Sequence, residues 1–293
     1  MSVTFSVIVP SFERPERLGR CLAALAALRA PRGGFEVVVV DDGGRSPLDA
    51  IVDSLRKALS LTLIRVAHGG PAAARNSGAG RARAPFLAFT DDDCRPEPDW
   101  LLAFEVAFER GERGLLGGLT RNGLAGNLFS SASQSQLDYL YDYFAREGEP
   151  PRFFASNNVA LPREVFLAAG GFDATFKQAA GEDREFSDRC RRLGHGMAFV
   201  PTAVVRHEHA LTAGSFLRQH FFYGRGARRF HAIRSRLEPQ PQRLEPGSFY
   251  LRLPLHPFVA GEPVGRATLL ATLLVASQAA TALGYFWPSK EDA

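Results

Sequence analysis

The stretch PFLAFTDDD, residues 85–93, decides the fold, because an apolar run too short for a helix ends in three consecutive carboxylates. Apolar residues on both faces predict a buried parallel strand, and open α/β sheets bind ligands at the carboxyl ends of such strands. Three adjoining carboxylates repel one another unless a cation lies among them. Oxygen ligands favour Mg²⁺ or Mn²⁺, so Asp91 and Asp93 are candidate metal ligands. An acidic turn that caps a helix starting near residues 96–100 would explain the same pattern.

Strands and helices alternate along the chain before this stretch. The pattern predicts strands over 5–10, 35–40 and 61–66, and helices over 16–28, 48–59 and 72–83. This alternation predicts a parallel sheet with right-handed crossovers. The loops at 11–14, 41–42 and 91–93 each follow a strand, so we expect them to converge at one edge of the sheet. The sequence contains neither a GxGxxG fingerprint nor a Walker A motif, which disfavours hydride transfer and P-loop chemistry.

The second half of the chain supplies further polar candidates. Its pattern predicts a strand over 153–161, helices over 162–169 and 184–193, and a last strand over 198–205. Two amides, Asn157 and Asn158, lie in the first of these strands. Glu182 and Asp183 precede a helix, where the helix dipole favours carboxylates, so capping and function both explain them. The last strand leads into a histidine pair at 207 and 209.

Composition places the chain among ordinary folded proteins. It has 293 residues, a formal net charge of +4 and three widely spaced cysteines without a CxxC motif. The cysteines predict reduced thiols in a cytosolic setting and no zinc site. The N-terminus lacks the pattern of a secretory signal peptide, so we expect the catalytic part to face the cytoplasm. The mild net charge gives no argument for a nucleic-acid partner.

Six segments in order resemble a family 2 glycosyltransferase of the nucleotide-sugar-binding GT-A class. They are SVIVPSFERPERLGRCLAAL, VVVVDDGG, GGPAAARNSGAGRARAPFLAFTDDD, FFASNNVALPREVFLAAGGFDATF, GEDREFSDRCRRLG and RHEHALTAGSFLRQHFFYGRGARR. The resemblance covers roughly residues 3–230. It implies a Rossmann-like, mostly parallel sheet flanked by helices, with a C-terminal helical extension. The family's processive synthases carry Gln-x-x-Arg-Trp, and the lack of that tryptophan near residues 218–225 argues against a processive cellulose-type synthase.

The resemblance also implies roles for individual residues. Donor-binding residues would be Pro10, Ser11, Phe12, Arg14, Asp42, Arg75, Asp91 and Asp92. The acceptor side would contain Asn157, Asn158 and Glu182. A Mg²⁺ or Mn²⁺ ion would be held by Asp91, Asp93 and His207, with His209 as a second candidate histidine. Asp183 would be the general base.

The implied reaction is metal-dependent transfer of a sugar, with inversion, from a nucleoside-diphosphate sugar to an acceptor hydroxyl. Uridine is the family's usual base, and the acceptor would be a glycan or a lipid-linked glycan. One alternative is a nucleotidyltransferase that makes sugar nucleotides, although a Gly-rich triphosphate loop is expected there after the first strand. Another is a non-catalytic protein that binds nucleotide sugars. The sequence does not specify the oligomeric state.

The C-terminal region differs in character from the rest of the chain. We predict a catalytic domain over 1–215, with a nucleotide-binding half to about 115 and an acceptor half from 116, followed by a helical region over 216–293. Arginines between 225 and 243 suit either a solvated helix face or anionic lipid, with RNA a weaker option. Residues 267–287 carry no charge and have the length of a membrane helix. That segment would span a bilayer, lie in its interface or pack as a soluble helix. In either of the first two arrangements the enzyme would lie at the inner face of the cell membrane.

Overall fold

A mixed sheet of eight strands carries the candidate site. The computed structural model describes residues 4–146, 152–237 and 245–288. The strands are β1 Phe5–Ser11, β2 Phe35–Asp41, β3 Leu61–Arg65, β4 Phe86–Phe89, β5 Cys94–Pro96, β6 Leu115–Asn122, β7 Val159–Pro162 and β8 Met197–His207, in the spatial order β3-β2-β1-β4-β7-β6-β8-β5. The PFLAF run therefore forms a strand in the middle of the sheet, and three of its four residues are buried.

Helices flank the sheet in the first part of the chain, and the described residues after β8 are mainly helical. The helices are α1 Pro15–Ala26, α2 Asp49–Leu55, α3 Pro71–Arg81, α4 Trp100–Glu109, α5 Leu128–Arg146, α6 Arg163–Ala168, α7 Glu182–Arg192, α8 Ala213–Leu237, α9 Gly247–Arg252, α10 His256–Val259 and α11 Val264–Phe286, with a 3-10 turn at Leu253–Leu255. Leu18, Leu22 and Leu25 of α1 recur at helical spacing and lie in the main hydrophobic core. The core also contains Trp100 and Phe104 of α4.

The direction of the strands divides the sheet into two parts. β1 pairs in parallel with both β2 and β4, and β2 pairs in parallel with β3. β7 runs antiparallel to β4 and β6, and β8 runs antiparallel to β5. The parallel part is the one that the alternation of strands and helices predicts. β6 and β7 are separated by α5 in the sequence and yet pair antiparallel, so the alternation of strands and helices does not predict this part of the sheet.

The predicted strand over 153–161 is wrong in its first half. β7 begins only at Val159, and the preceding residues form a turn in which Asn158 N donates to Ala155 O at 3.1 Å. The Asn158 side chain accepts from Trp100 Nε1 at 2.8 Å and donates to Ala203 O at 3.0 Å. Because both amide groups are used inside the core, the turn is fixed, which the apolar pattern alone does not reveal.

The described residues group into two compact units. The first contains 4–121 and 152–208, and the second contains 122–146, 209–237 and 245–288. Packing units need not coincide with catalytic domains, so the predicted catalytic domain over 1–215 stays a prediction.

The second unit is helical, and α8 and α11 approach each other closely within it. A Cβ at Gly224 would lie 2.0 Å from the Thr281 carbonyl oxygen, and one at Gly284 would lie 1.9 Å from the Phe221 carbonyl oxygen. Only glycine at these two positions lets the backbones come so near. α11 is long and apolar enough to cross a membrane by length and composition, a test that core helices of soluble proteins also pass.

Candidate active site

The loops after β1 and β4 meet, because these strands are parallel neighbours. Ser11 Oγ donates to Asp92 Oδ2 at 2.8 Å, and Arg14 Nη1 lies 3.4 Å from Asp92 Oδ1 and 3.3 Å from Asp93 Oδ2. Burial, together with the neighbouring charge of Asp93, raises the pKa of Asp92 to about 6 in spite of Arg14. The predicted convergence of these loops is confirmed.

The loop after β2 organises a second part of the same edge around Asp42. This carboxylate accepts from Gly69 N at 2.9 Å and Gly70 N at 3.0 Å, and lies 2.9 Å from His68 Nδ1. Gly70 has a φ of 88°, and a Cβ there would lie 2.5 Å from the Lys177 carbonyl oxygen, so only glycine suits this turn. The Asp42 carboxylate therefore holds the glycine loop that starts α3.

An exposed aromatic pair joins the loops that follow β1 and β3. The rings of Phe12 and His68 stack with centroids 4.2 Å apart. Pro10 lies one residue before the end of β1 and pairs with Val40 in the sheet. A flat, partly exposed ring beside an anchored carboxylate suits a planar heterocycle.

Arg75 lies buried at the middle of the site. Its Nη2 donates to Asp91 Oδ1 at 2.7 Å and its Nη1 to Glu182 Oε1 at 3.1 Å. Burial alone would lower the pKa of Arg75, but the charges of Asp91 and Glu182 outweigh it and raise that pKa. The helix reaches this depth because it is rich in small residues: a Cβ at Gly78 would lie 2.5 Å from Ile8 Cγ2 of the sheet.

Glu182 and Asp183 open α7 beside this arginine. Burial and the adjacent Asp183 raise the pKa of Glu182 to about 7 in spite of Arg75, and its Oε2 is buried without a hydrogen-bond partner among the described residues. Asp183 is half-buried, and Arg184 N donates to its Oδ1 at 2.8 Å. Burial also raises the pKa of Asp183. A carboxylate that is partly desolvated and still accessible, with a raised pKa, is a suitable proton acceptor.

Asp93 and His207 form the best-defined candidate metal centre. The antiparallel pairing of β5 with β8 places Cys94 opposite His207, and His207 Nε2 lies 3.2 Å from Asp93 Oδ1. Burial would lower the pKa of His207, but the charge of Asp93 outweighs it and raises that pKa. Donor atoms of Asp93, Cys94 and His207 all lie within 4.8 Å of one another.

The chemistry of these donors fits one of the two predicted ions better. Burial and the charge of Asp93 raise the pKa of the Cys94 thiol well above its usual range, so the thiol is protonated when no metal ion is bound. A carboxylate together with an imidazole suits Mn²⁺ better than Mg²⁺, which prefers oxygen ligands. The third predicted ligand, Asp91, is paired with Arg75 in this structure.

The amides predicted for the acceptor side have structural partners. Asn158 is buried and holds Trp100 and Ala203, as described above, while Asn157 Oδ1 accepts from Thr120 Oγ1 at 3.2 Å. The second candidate histidine, His209, belongs to the second unit, where its carbonyl oxygen accepts from Ser130 Oγ. The structure therefore gives these residues packing partners, and their predicted roles in binding stay predictions.

Sequence reasoning missed four residues that touch the candidate site. Arg17 Nη1 lies 3.2 Å from Asp93 Oδ2, and Arg95 Nε lies 2.8 Å from Glu208 Oε1. Glu208 N donates to Asp93 O at 2.7 Å, and His68 stacks on Phe12 as described. The three-residue spacing of Arg14 and Arg17 at the start of α1 indicates that both side chains can reach the same site. The contacts of Glu208 depend on strand register, which the sequence does not reveal.

The amino-acid sequence matches a known family over most of this site. The profile of Glycosyl transferase family 2 matches residues 6–182. The chain belongs to this family. Sequence relatives include a chondroitin synthase of Escherichia coli, 26% identical over 239 residues (69% of this chain, 34% of the relative), and a hyaluronan synthase of Pasteurella multocida, 27% identical over 242 residues (70% and 24%). The chain thus spans about a third or less of these two relatives.

A relative of more similar length is the glycosyltransferase AglE of Haloferax volcanii, 27% identical over 231 residues, with 75% of this chain and 72% of the relative covered. Among solved structures, a mannosyltransferase from Pyrobaculum calidifontis in complex with GDP-Man and Mn²⁺ has a TM-score of 0.66 at 17% identity, covering 98% of this chain and 88% of that one. S. aureus TarS 1-349 in complex with UDP has a TM-score of 0.56 at 18% identity, covering 97% and 89%. These likenesses establish the GT-A fold.

Proposed function

We propose that this family member is an inverting glycosyltransferase that uses a divalent metal ion and a UDP-sugar. The sugar would be transferred to an acceptor hydroxyl of a glycan or a lipid-linked glycan. The observation that carries the proposal is the convergence of Arg75, Asp91, Glu182 and Asp183 beside the Asp93–His207 pair.

Nucleoside recognition is assigned to the loops after β1, β2 and β3. Phe12 and His68 offer stacked, partly exposed rings, and Asp42 offers a carboxylate held rigidly by two backbone N–H groups. Ser11 and Arg14 follow Pro10 near the end of β1. Arg14 can turn from Asp92 and Asp93 toward a diphosphate once a divalent cation neutralises those carboxylates.

The metal ion would be held by Asp93 and His207, with Asp91 as a third ligand. When bound, it supplies Lewis-acid stabilisation of the departing diphosphate. Asp92 lies between Asp91 and Asp93 in the sequence. The hydrogen bond that it accepts from Ser11 connects the end of β1 to the loop after β4. The Pyrobaculum enzyme, which carries GDP-Man and Mn²⁺, supports this assignment.

Asp183 is assigned as the base. As the acceptor oxygen bonds to the anomeric carbon, the bond from that carbon to the diphosphate oxygen breaks, and the acceptor's proton moves to the Asp183 carboxylate. A raised pKa makes this carboxylate a better proton acceptor at neutral pH. One base opposite one leaving group gives in-line displacement and therefore inversion.

The location and biological role remain proposals as well. We infer a cytoplasmic enzyme at the inner face of the cell membrane that acts in polysaccharide biosynthesis. The named chondroitin and hyaluronan synthases support the polysaccharide assignment.

A thermal-shift panel of nucleoside diphosphates with and without Mn²⁺ tests the site, the base preference and the metal together. We expect UDP with Mn²⁺ to give the largest rise in Tm, and chelation by EDTA to remove most of it. A larger shift with GDP would overturn the choice of uridine. Binding of UDP and Mn²⁺ without turnover of any UDP-sugar, in hydrolysis or transfer assays, would instead favour a non-catalytic binding protein.

A further inference from the structure

The second unit has an apolar helix face without a partner among the residues that the structure describes. One side of α11 is buried, through Ala267, Leu270, Leu274, Ser277, Ala280 and Gly284. The opposite side is exposed, and it presents Leu269, Thr272, Val275, Ala279, Leu283 and Phe286. No charged residue occurs between Ala267 and Phe286. Five of these six side chains are apolar, and Phe286 is 75% exposed. Among the described residues, nothing covers this face of the helix.

The segment before α11 carries further exposed apolar side chains. The 3-10 turn and α10 pack against α11. Leu251, Leu255, Phe258 and Val259 in this segment are all exposed, Leu251 at 75%. The two sets of exposed side chains together are here named the apolar surface of the second unit.

The charges of the helix that packs on α11 identify the chemistry of the partner. α8 carries six arginines and no acidic residue. Four of them, Arg218, Arg225, Arg229 and Arg236, recur at intervals of seven, four and seven residues and so share one side of the helix. The close approach at Gly224 and Gly284 fixes α8 along α11, and packed helices have axes about 8–10 Å apart. Gly284 belongs to the buried side of α11, so α8 and its arginines lie about one helix spacing behind the exposed side.

An apolar surface beside a row of arginines matches an anionic lipid surface, whose acyl region and phosphates offer both complements. A second copy of this chain fits less well, because α8 and α11 carry no acidic residue and offer no counter-charge to the arginines.

The same pairing decides how the helix lies. If α11 crossed a bilayer, α8 would have to enter with it, and its arginines would lose their hydration. If α11 lies parallel to the surface, its exposed side enters the acyl boundary while the arginines stay at the level of the headgroups. We propose that the second unit docks on an anionic bilayer through its apolar surface, with α11 in the plane of the membrane and not across it.

Co-sedimentation of the full chain with phosphatidylcholine vesicles, with and without phosphatidylglycerol, tests the proposal. We expect binding to the anionic vesicles only, and release by high salt or alkaline carbonate. Resistance to carbonate would show a spanning helix and overturn the in-plane arrangement. A concentration-dependent dimer that ignores both vesicles would overturn the lipid partner in favour of a second copy.

Variants locate the contact. Val275→Glu and Leu283→Glu change exposed positions and should each weaken vesicle binding about tenfold or more. Arg225→Gln combined with Arg229→Gln should lower the affinity for anionic vesicles by about fivefold per arginine. The double variant should also depend less on salt than the wild type does. Leu193→Glu, at an equally exposed leucine of the first unit, is the matched control and should bind like the wild type. Equal binding by all these variants would overturn the proposal.

The docking proposal does not rest on the proposed transfer reaction. Thermal shifts with UDP and Mn²⁺ on the same variants separate the two, because they should match the wild type even when vesicle binding is lost. All variants should also keep the wild-type apo Tm, which confirms that they fold.

Discussion

Arg75 donates a hydrogen bond of 3.1 Å to Glu182, a residue 107 positions further along the chain. The same guanidinium bonds Asp91, so one buried cation joins the end of β4 to the start of α7. Three acids, Asp91, Glu182 and Asp183, thus share one cation, and burial, together with the charge of Asp183, raises the pKa of Glu182 to about 7.

Glu182→Gln should flatten the pH dependence of stability. The folded protein holds the Glu182 proton more tightly than the unfolded chain, whose ordinary pKa is 4.5. The free energy of unfolding should therefore fall as pH rises from 4.5 to about 7, by up to about 3 kcal/mol. Thermal melts at pH 5 and 8 measure this. Glu164→Gln, at an exposed glutamate of α6, is the control, and an unchanged slope in Glu182→Gln would contradict the assignment.

Asp183→Asn should lower kcat by about 10²–10⁴-fold, because an amide cannot accept the acceptor's proton. Binding of the donor, measured by titration calorimetry, should survive. Asp53→Asn, at an exposed aspartate of α2, should leave both unchanged. NMR of the product should show the anomer opposite to that of the donor, and retention of configuration would refute the mechanism.

Asp93→Asn should weaken the Mn²⁺-dependent rise in Tm, because the Asp93–His207 pair is the best-defined metal centre among the described residues. His207→Gln should act in the same direction, with apparent Mn²⁺ affinity reduced about 10-fold or more. His195→Gln is the matched control, since His195 is a half-buried histidine of the same unit and does not belong to the candidate metal centre. A wild-type response to Mn²⁺ in Asp93→Asn would place the metal elsewhere.

His220→Phe should stabilise the protein in acid. His220 is buried on α8, and neither ring nitrogen has a hydrogen-bond partner within the described residues. Burial, with a smaller contribution from His209, lowers the pKa of His220 to about 4. The unfolded chain binds this proton first, so stability should fall by about 2 kcal/mol as pH drops from 6.5 to 5. Urea unfolding should show that loss in the wild type and not in His220→Phe, and equal losses would contradict it. At pH 7.5 both proteins have a neutral side chain there, which provides the reference.

Gly284→Ala should destabilise the protein by about 1–3 kcal/mol, because the new methyl group would lie 1.9 Å from the Phe221 carbonyl oxygen. Gly265→Ala is the matched control in the same helix, where nothing lies within 4 Å of the added Cβ. That change should be neutral or stabilising by up to about 1 kcal/mol. Chemical denaturation of both variants measures the difference, and equal effects would show that the helices can separate freely.

The sequence predicts the parallel half of the sheet and the convergence of its loops because strand order and edge follow from the alternation of strands and helices. The pattern of elements does not predict that Asp93 faces His207, since this depends on the register of β5 with β8, and only the family resemblance put the two residues on one ion. It also misplaces the start of β7, because the side-chain bonds of Asn158 leave no trace in the apolar pattern. Arg75 is instructive: its small-residue helix is visible in the sequence, but the two acids that keep it buried come from distant positions.

The late return of β7 and β8 to the sheet has a consequence for biosynthesis. A nascent chain that has left the ribosome only as far as residue 122 contains the three acids after β4 but neither Glu182 nor His207. One side of β4 then awaits β7, and an unpaired strand edge invites association with other nascent chains. Any chain that terminates early would expose that edge, so quality control by chaperones should matter most for this protein between the synthesis of β6 and that of β8.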